Sequence, residues 1–104
     1  MIIEQFDIIR VMMKEGDTVG KVYLVVSPSD MNKALETLMV VPFATSNPDY
    51  PFRPTLRGSG TDKFADVCLD QIATIHKMMV LETIDQLALE DGVRMLSVIR
   101  EIFT

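Results

Sequence analysis

The chain has 104 residues, of which 48% are hydrophobic, and its net charge is −5. This length suits one domain over residues 1–104, and the apolar share supports a packed core and argues against a disordered chain. The acidic balance counts against a nonspecific nucleic-acid binder, whose affinity comes largely from neutralised phosphates. No apolar run reaches the roughly 18 residues of a membrane span, and the start lacks the pattern of a signal peptide. We therefore expect a cytoplasmic protein without a membrane association.

The predicted elements, taken along the chain, are typical of a small β protein. Short segments rich in β-branched and aromatic residues alternate with clusters of Gly, Pro, Asn and Asp, which is the pattern of strands joined by turns. A loop over 14–20 separates the first two strands, and one helical turn is predicted over 31–35. The segments predicted as strands are 6–13, 21–27, 37–42, 52–56, 65–71 and 74–83.

The last segment has helical rather than strand periodicity. Gly92 weakens such a helix by about 1 kcal/mol relative to alanine, so we expect the helix to depend on packing against the sheet. The sequence thus predicts a mainly β fold, a small and strongly curved sheet or barrel, with one C-terminal helix. The apolar residues at helical spacing are Leu89, Val93, Leu96, Ile99 and Phe103.

Polar side chains stand where two of the predicted strands end. Pro42 lacks an N–H group and is expected at the end of its strand or at a bulge, with Thr45 just beyond it. Asp70 and Gln71 close the strand predicted over 65–71. If one small β domain holds these ends together, a hydroxyl, a carboxylate and a carboxamide meet at one rim of the sheet.

A basic patch follows the turn after the third strand. Arg53, Arg57 and Lys63 fall within eleven residues, close to the aromatic side chains of Tyr50 and Phe52. Cations interleaved with aromatic rings bind a single nucleic-acid strand by charge and stacking, and the same patch suits an acidic peptide. Both interpretations stay open from the residues alone.

The lone histidine and the lone cysteine give little indication of further chemistry. Histidine as a residue type suits proton transfer near neutral pH, but a surface or partly packed role is the plainer interpretation of His76. Cys68 lies among apolar strand residues and is predicted to be in the core. Because it is the single cysteine of the sequence, it cannot form an internal disulfide. Because no metal-ligand spacing is present, we expect neither a metal site nor a cofactor.

Taken together, these segments resemble the PemK/MazF toxins of bacterial toxin–antitoxin modules. The resemblance covers nearly the whole chain and lies in the order and spacing of short motifs. Those motifs are Phe6-Asp7-Ile8-Ile9, Leu24-Val25-Val26-Ser27-Pro28, Val40-Val41-Pro42 with Thr45, Tyr50-Pro51-Phe52 with Leu56 and Gly58, and Asp70-Gln71-Ile72 with Thr74-Ile75.

The resemblance implies an SH3-like barrel that forms homodimers and is neutralised by an antitoxin with an acidic C-terminal tail. It further implies an endoribonuclease that cuts single-stranded RNA without a metal and leaves a cyclic phosphate. By this resemblance the catalytic residues are Lys21, Thr45, Asp70 and Gln71, although a strict alignment puts Ala44 at the position of the threonine. The residues expected to bind substrate are Tyr50, Arg53, Arg57 and Lys63.

Departures from the family pattern keep other functions open. Lys21-Val22 stands where the family has Arg-Pro, Cys68 stands where some members have a catalytic arginine, and Ala73 replaces another arginine. Lysine keeps the charge but not the planar, bidentate geometry of a guanidinium. The alternatives are a CcdB-like inhibitor of gyrase, because that toxin has a similar apolar run ending at proline, and a catalytically silent relative that acts by binding peptides.

Overall fold

The secondary structure is dominated by short strands. A computed structural model describes residues 2–45, 53–57 and 64–103. Within these residues the strands are β1 (Asp7–Val11), β2 (Lys21–Val25), β3 (Thr37–Thr45), β4 (Thr55–Arg57), β5 (Phe64–Val67), β6 (Ala73–His76) and β7 (Val80–Gln86). The helical segments are α1 (Ser29–Ala34), a 3-10 turn (Lys77–Met79) and α2 (Leu89–Ile102).

The strands form one antiparallel sheet in the order β4-β5-β3-β2-β1-β7. Val40 of β3 pairs with Val25 of β2 and also with Ala73 of β6, so β2 and β6 lie on opposite edges of β3. The prediction of a mainly β fold with a C-terminal helix is confirmed. Among the described residues no pairing joins β4 to β7, so the sheet is open where the sequence suggested a closed barrel.

The third strand continues through its proline, where the sequence predicted that it would end. Pairing with β2 ends at Pro42, and pairing with β5 begins at Phe43. The proline carbonyl accepts a hydrogen bond of 2.9 Å from the backbone N–H of Cys68. Because β3 changes its partner at this residue, a missing N–H is tolerated in the middle of a long strand. Of the two positions predicted for Pro42, the end of the strand or a bulge, the first was wrong, because Thr45 is the last residue of β3.

Two of the later predicted strands are interrupted. The segment predicted over 65–71 leaves the strand at Val67, so Asp70 and Gln71 lie in the turn between β5 and β6. The segment predicted over 74–83 is split by the 3-10 turn into β6, which pairs with β3, and β7, which pairs with β1. His76 caps this 3-10 turn, since its Nδ1 atom accepts a 3.2 Å hydrogen bond from the N–H of Met78.

The sheet is apolar on both faces, and each face carries its own core. Alternate residues of β2 show this, because Tyr23 and Val25 join one cluster whereas Leu24 joins the other. The first cluster consists of Ile3, Ile9, Val11, Tyr23, Val25, Leu38, Val40 and Val80. The second consists of Phe6, Leu24, Val26, Val41, Val67, Leu69 and Met95, and α2 packs on it.

The helix α2 packs on the sheet with a different face from the one that the sequence predicted. Met95 is fully buried and Ile99 packs against the second cluster, whereas Val93 is 57% exposed. Gly92 determines this orientation, since a Cβ atom at that position would lie 2.4 Å from the ring of Phe6. The glycine therefore allows α2 to lie directly on the aromatic ring. Of the predicted face, Leu89, Val93, Leu96 and Phe103 are exposed.

Candidate functional site

The turn between β5 and β6 carries an ion pair with two hydrogen bonds. Nε of Arg53 donates to Oδ1 of Asp70 at 2.9 Å, and Nη2 donates to Oδ2 at 3.0 Å. The two side chains are 23% and 39% exposed, so the pair lies at the surface. The guanidinium, through these hydrogen bonds, holds the pKa of the Asp70 carboxyl below its ordinary value. Asp70 is therefore a carboxylate at neutral pH.

The register of β4 and β5 explains why Arg53 reaches this turn. Thr55 pairs with Asp66, and the backbone N–H of Val67 donates to the carbonyl of Pro54 at 2.8 Å. Extending the same register by two residues puts Arg53 opposite Cys68. Since Cys68 is two residues before Asp70, the arginine is brought to the carboxylate although 17 positions separate the two in sequence.

Cys68 is buried, and nearby charges act on its thiol in both directions. Burial raises the pKa of its thiol, and the negative charges of Asp70 and Asp66 act in the same direction, whereas the positive charges of Arg53 and Lys21 act against it. The thiol therefore stays protonated, which is the inert state of a cysteine.

Lys21 begins β2 at the same end of the sheet. Its ammonium group lies over the ring of Tyr23, 5.5 Å from the ring centroid, which is a cation–π contact. The pairing of β2 with β3, extended by two residues, puts Lys21 opposite Ala44, which is exposed. Ala44 in turn pairs with Asp66 of β5. Lys21, Ala44 and Asp66 thus lie in one row across three strands.

The other predicted site residues differ in how far the structure places them. Gln71 is exposed, and its backbone N–H donates to the carbonyl of Cys68 at 2.9 Å, which closes the turn. Thr45 and Arg57 end β3 and β4. Tyr50 and Lys63 lie outside the described residues. The structure thus brings Arg53, Asp70 and Gln71 together at the turn that follows β5, and it puts Lys21 in the neighbouring row of Ala44 and Asp66.

His76 lies away from the Arg53–Asp70 pair. The histidine is at the opposite end of β6 from the turn, where it pairs with Thr37 and caps the 3-10 turn.

In the part of the chain that the structure describes, no cluster of three or more His, Cys, Asp or Glu side chains is arranged to hold a metal ion. No helix of that part is long and apolar enough to cross a membrane.

The sequence did not reveal the pairing of Arg53 with Asp70. Both residues were candidates, one for substrate binding and the other for catalysis, but their contact depends on the register of β4 on β5. The only available signal was Arg53-Pro54 directly before a short strand, because proline favours an extended residue before it. That signal does not identify the partner strand.

Comparison with known proteins agrees with this arrangement of strands and helix. Residues 4–103 match the family described as PemK-like, MazF-like toxin of type II toxin–antitoxin systems. The chain therefore belongs to the PemK/MazF toxin family. A search of curated proteins gave no match.

Solved structures share the fold at low sequence identity. A MazE–MazF structure from Deinococcus radiodurans superimposes with a TM-score of 0.82 at 13% identity, covering 99% of this chain and 96% of that one. An endoribonuclease in complex with its cognate antitoxin from a mycobacterial species has a TM-score of 0.78 at 16% identity, with 98% and 93% covered. The Mycobacterium tuberculosis toxin MazF-mt6 has a TM-score of 0.77 at 15% identity, with 93% and 95% covered.

Proposed function

We propose that this toxin is an endoribonuclease that cleaves single-stranded RNA. The observation that supports the proposal most is the Arg53–Asp70 pair, together with Lys21 in the row that contains Ala44 and Asp66. An RNA phosphate needs a positive environment, and a surface that is acidic overall must supply it locally. Lys21 of β2 and Arg53, which precedes β4, together with polar groups of the β5–β6 turn, provide such a place.

The proposed reaction is an attack of the RNA on its own phosphate. A base takes the proton of the 2′-hydroxyl, and the 2′-oxygen attacks the adjacent phosphorus. The bond from phosphorus to the 5′-oxygen breaks, an acid protonates that oxygen, and a cyclic phosphate remains on the other fragment. Charge builds up on the phosphoryl oxygens in the transition state, where positively charged donors are most effective.

The proposed site residues divide between charge and positioning. Lys21 and Arg53 would stabilise the phosphate, while Thr45 and Gln71 would add neutral hydrogen-bond donors. Asp70 is the carboxylate of the site. Tyr50, Arg57 and Lys63 would bind the flanking nucleotides by stacking and charge.

The position of Arg53 bears on one departure from the family pattern, the missing arginine at position 68. The arginine that some members carry at the position of Cys68 is absent, but the guanidinium of Arg53, from the segment before β4, lies beside Asp70. A guanidinium binds a phosphate with two parallel hydrogen bonds, which lysine cannot do. The site therefore keeps one group of this geometry, which supports cleavage over a catalytically silent role.

The proposed partners follow from the family and from the charges. The mycobacterial endoribonuclease is in complex with its cognate antitoxin, and the structure from Deinococcus radiodurans is of MazE–MazF. We propose that this chain acts in the cytoplasm as a homodimer and is neutralised by an antitoxin with an acidic C-terminal tail. The cations that would hold RNA phosphates suit such a tail equally well, so the peptide and the RNA are expected to compete.

Cleavage of a long single-stranded RNA by the purified chain in the presence of a chelator tests the proposal. We expect fragments that carry a cyclic phosphate, and we expect Lys21→Ala to reduce the rate by about 10- to 100-fold. Arg10→Ala is the matched control, because Arg10 is another exposed cation of the sheet and pairs with Glu82. Intact RNA in the presence of folded protein would refute the endoribonuclease.

Two further assays identify the alternative if RNA stays intact. Inhibition of supercoiling would indicate a gyrase inhibitor of the CcdB type. Binding of an acidic antitoxin-type peptide without either activity would indicate a silent relative.

A further inference from the structure

Both carboxylate oxygens of Asp70 are engaged by one guanidinium. Oδ1 accepts from Nε of Arg53 and Oδ2 accepts from Nη2, at 2.9 and 3.0 Å. A carboxylate that takes a proton during a reaction has to give up one of these charge-assisted hydrogen bonds. The arrangement is therefore unfavourable for a general base or a general acid and favourable for holding an arginine in place.

The residues around the pair fix the arginine at the surface. The hydrogen bond between Val67 and Pro54 holds the backbone just after Arg53 against β5. The turn that carries Asp70 is closed by the hydrogen bond from Gln71 to Cys68. Both ends of the ion pair are thus attached to hydrogen-bonded backbone, and the arginine side chain remains 23% exposed, within reach of a ligand.

We propose that Asp70 is a positioning residue whose role is to orient the guanidinium of Arg53, and that Arg53 is the residue that contacts the scissile phosphate. This inference rests on the proposed RNA cleavage and refines the role of one residue within it. The buried position of Cys68 explains why the cation comes from the segment before β4. A guanidinium at a site that is 2% exposed would lose its hydration, whereas Arg53, opposite Cys68, stays at the surface.

A double-mutant cycle separates positioning from direct catalysis. In Asp70→Asn the shape of the side chain is kept and its charge is removed. We expect this variant to lose about 10-fold in kcat, because a loosened arginine spends less time in the productive geometry. Arg53→Ala is expected to lose about 100-fold or more, as for a removed transition-state donor. The double variant is expected to be no slower than Arg53→Ala, since Asp70 then has nothing to orient.

Two readouts distinguish this role from a merely structural one. The pH dependence of kcat in Asp70→Asn should keep the shape of the wild-type profile, because no titrating catalytic group has been removed. Free guanidinium ion at non-denaturing concentration should restore part of the activity of Arg53→Ala, because Asp70 can hold the ion where the side chain was. It should not restore the activity of the double variant.

Glu82→Gln is the matched control. Glu82 pairs with Arg10 in another arginine–carboxylate pair at the surface, with the Arg10 and Glu82 side chains 35% and 51% exposed. This variant should leave both kcat and the response to guanidinium unchanged. If Arg53→Ala fails to fold, Arg53→Gln takes its place in the cycle.

The outcomes separate this inference from the proposed function. An inactive wild type and an inactive Glu82→Gln variant would refute RNA cleavage, and this inference with it. With an active wild type, three results would refute the inference alone. The first is a double variant whose loss in kcat is the product of the losses of the two single variants. The others are the loss of one limb of the pH profile in Asp70→Asn, and equal restoration of Arg53→Ala and of the double variant by guanidinium. A double variant equal to Arg53→Ala, with selective restoration by guanidinium, would support it.

Discussion

The face on which α2 packs can be tested by two substitutions that lie two residues apart. Met95 is fully buried against the second core cluster, whereas Val93 is 57% exposed on the face that periodicity alone had favoured. Truncating a buried methionine to alanine costs about 2 to 5 kcal/mol, since both its burial and its packing are lost. Truncating an exposed valine should change stability by at most about 0.5 kcal/mol, in the stabilising direction, because alanine is the better helix former.

Unfolding in urea, followed by circular dichroism, measures the change in the free energy of unfolding of both variants, and heating without urea measures the change in melting temperature. For a domain of about 100 residues, the loss expected for Met95→Ala lowers the melting temperature by roughly 10 to 25 °C. The slope of the transition should not change, since neither variant alters the surface exposed on unfolding. A loss of more than about 1 kcal/mol in Val93→Ala, or less than that in Met95→Ala, would refute the assigned packing face. Measurement at low and high protein concentration shows whether self-association covers Val93.

Two predictions concern the loop between β1 and β2. Gly16 and Gly20 both have positive φ, but a Cβ at Gly20 would lie 2.7 Å from the carbonyl oxygen of Val11 whereas a Cβ at Gly16 meets nothing within 4 Å. Gly20→Ala should therefore destabilise the fold by about 1 to 3 kcal/mol more than Gly16→Ala in the same urea titration. Asp17 accepts hydrogen bonds from the N–H groups of Met13, Val19 and Gly20, which hold its pKa below the ordinary value of 3.8. A lowered pKa stabilises the fold above pH 3.8, and this stabilisation disappears as the pH falls through the lowered value. Asp17→Asn should therefore have a lower melting temperature than the wild type at pH 7. The difference between the two melting temperatures should disappear in strong acid.

Local pattern was sufficient for the kinds of element but not for their ends. The helix at the C-terminus and the run of short strands follow from periodicity, and both are present. Pro42 was expected to end its strand because a central strand needs every N–H group. It does not, because β3 changes from β2 to β5 at this residue. A change of partner strand depends on pairing between distant segments, which local sequence does not encode.

The buried face of α2 illustrates the same limit. Leu89, Val93 and Leu96 have helical spacing, and so do Gly92 and Met95. Periodicity cannot choose between two apolar stripes on one helix. The choice is made by Phe6, at the other end of the chain, whose ring lies where a side chain at position 92 would be. Glycine, which weakens the isolated helix, is what allows it to pack.

The candidate site shows why a comparison position by position underestimates this chain. Position 68 is buried, so a cation there is unfavourable, and the sequence has a cysteine. The guanidinium beside Asp70 comes instead from Arg53, the residue that the register of β4 and β5 puts opposite position 68. Aligned sequences would record a lost arginine at one position and an unrelated arginine at another. The register of β4 on β5 shows that positions 53 and 68 lie opposite each other, close to Asp70. When this chain is compared with family members, the residues at these two positions therefore have to be considered together.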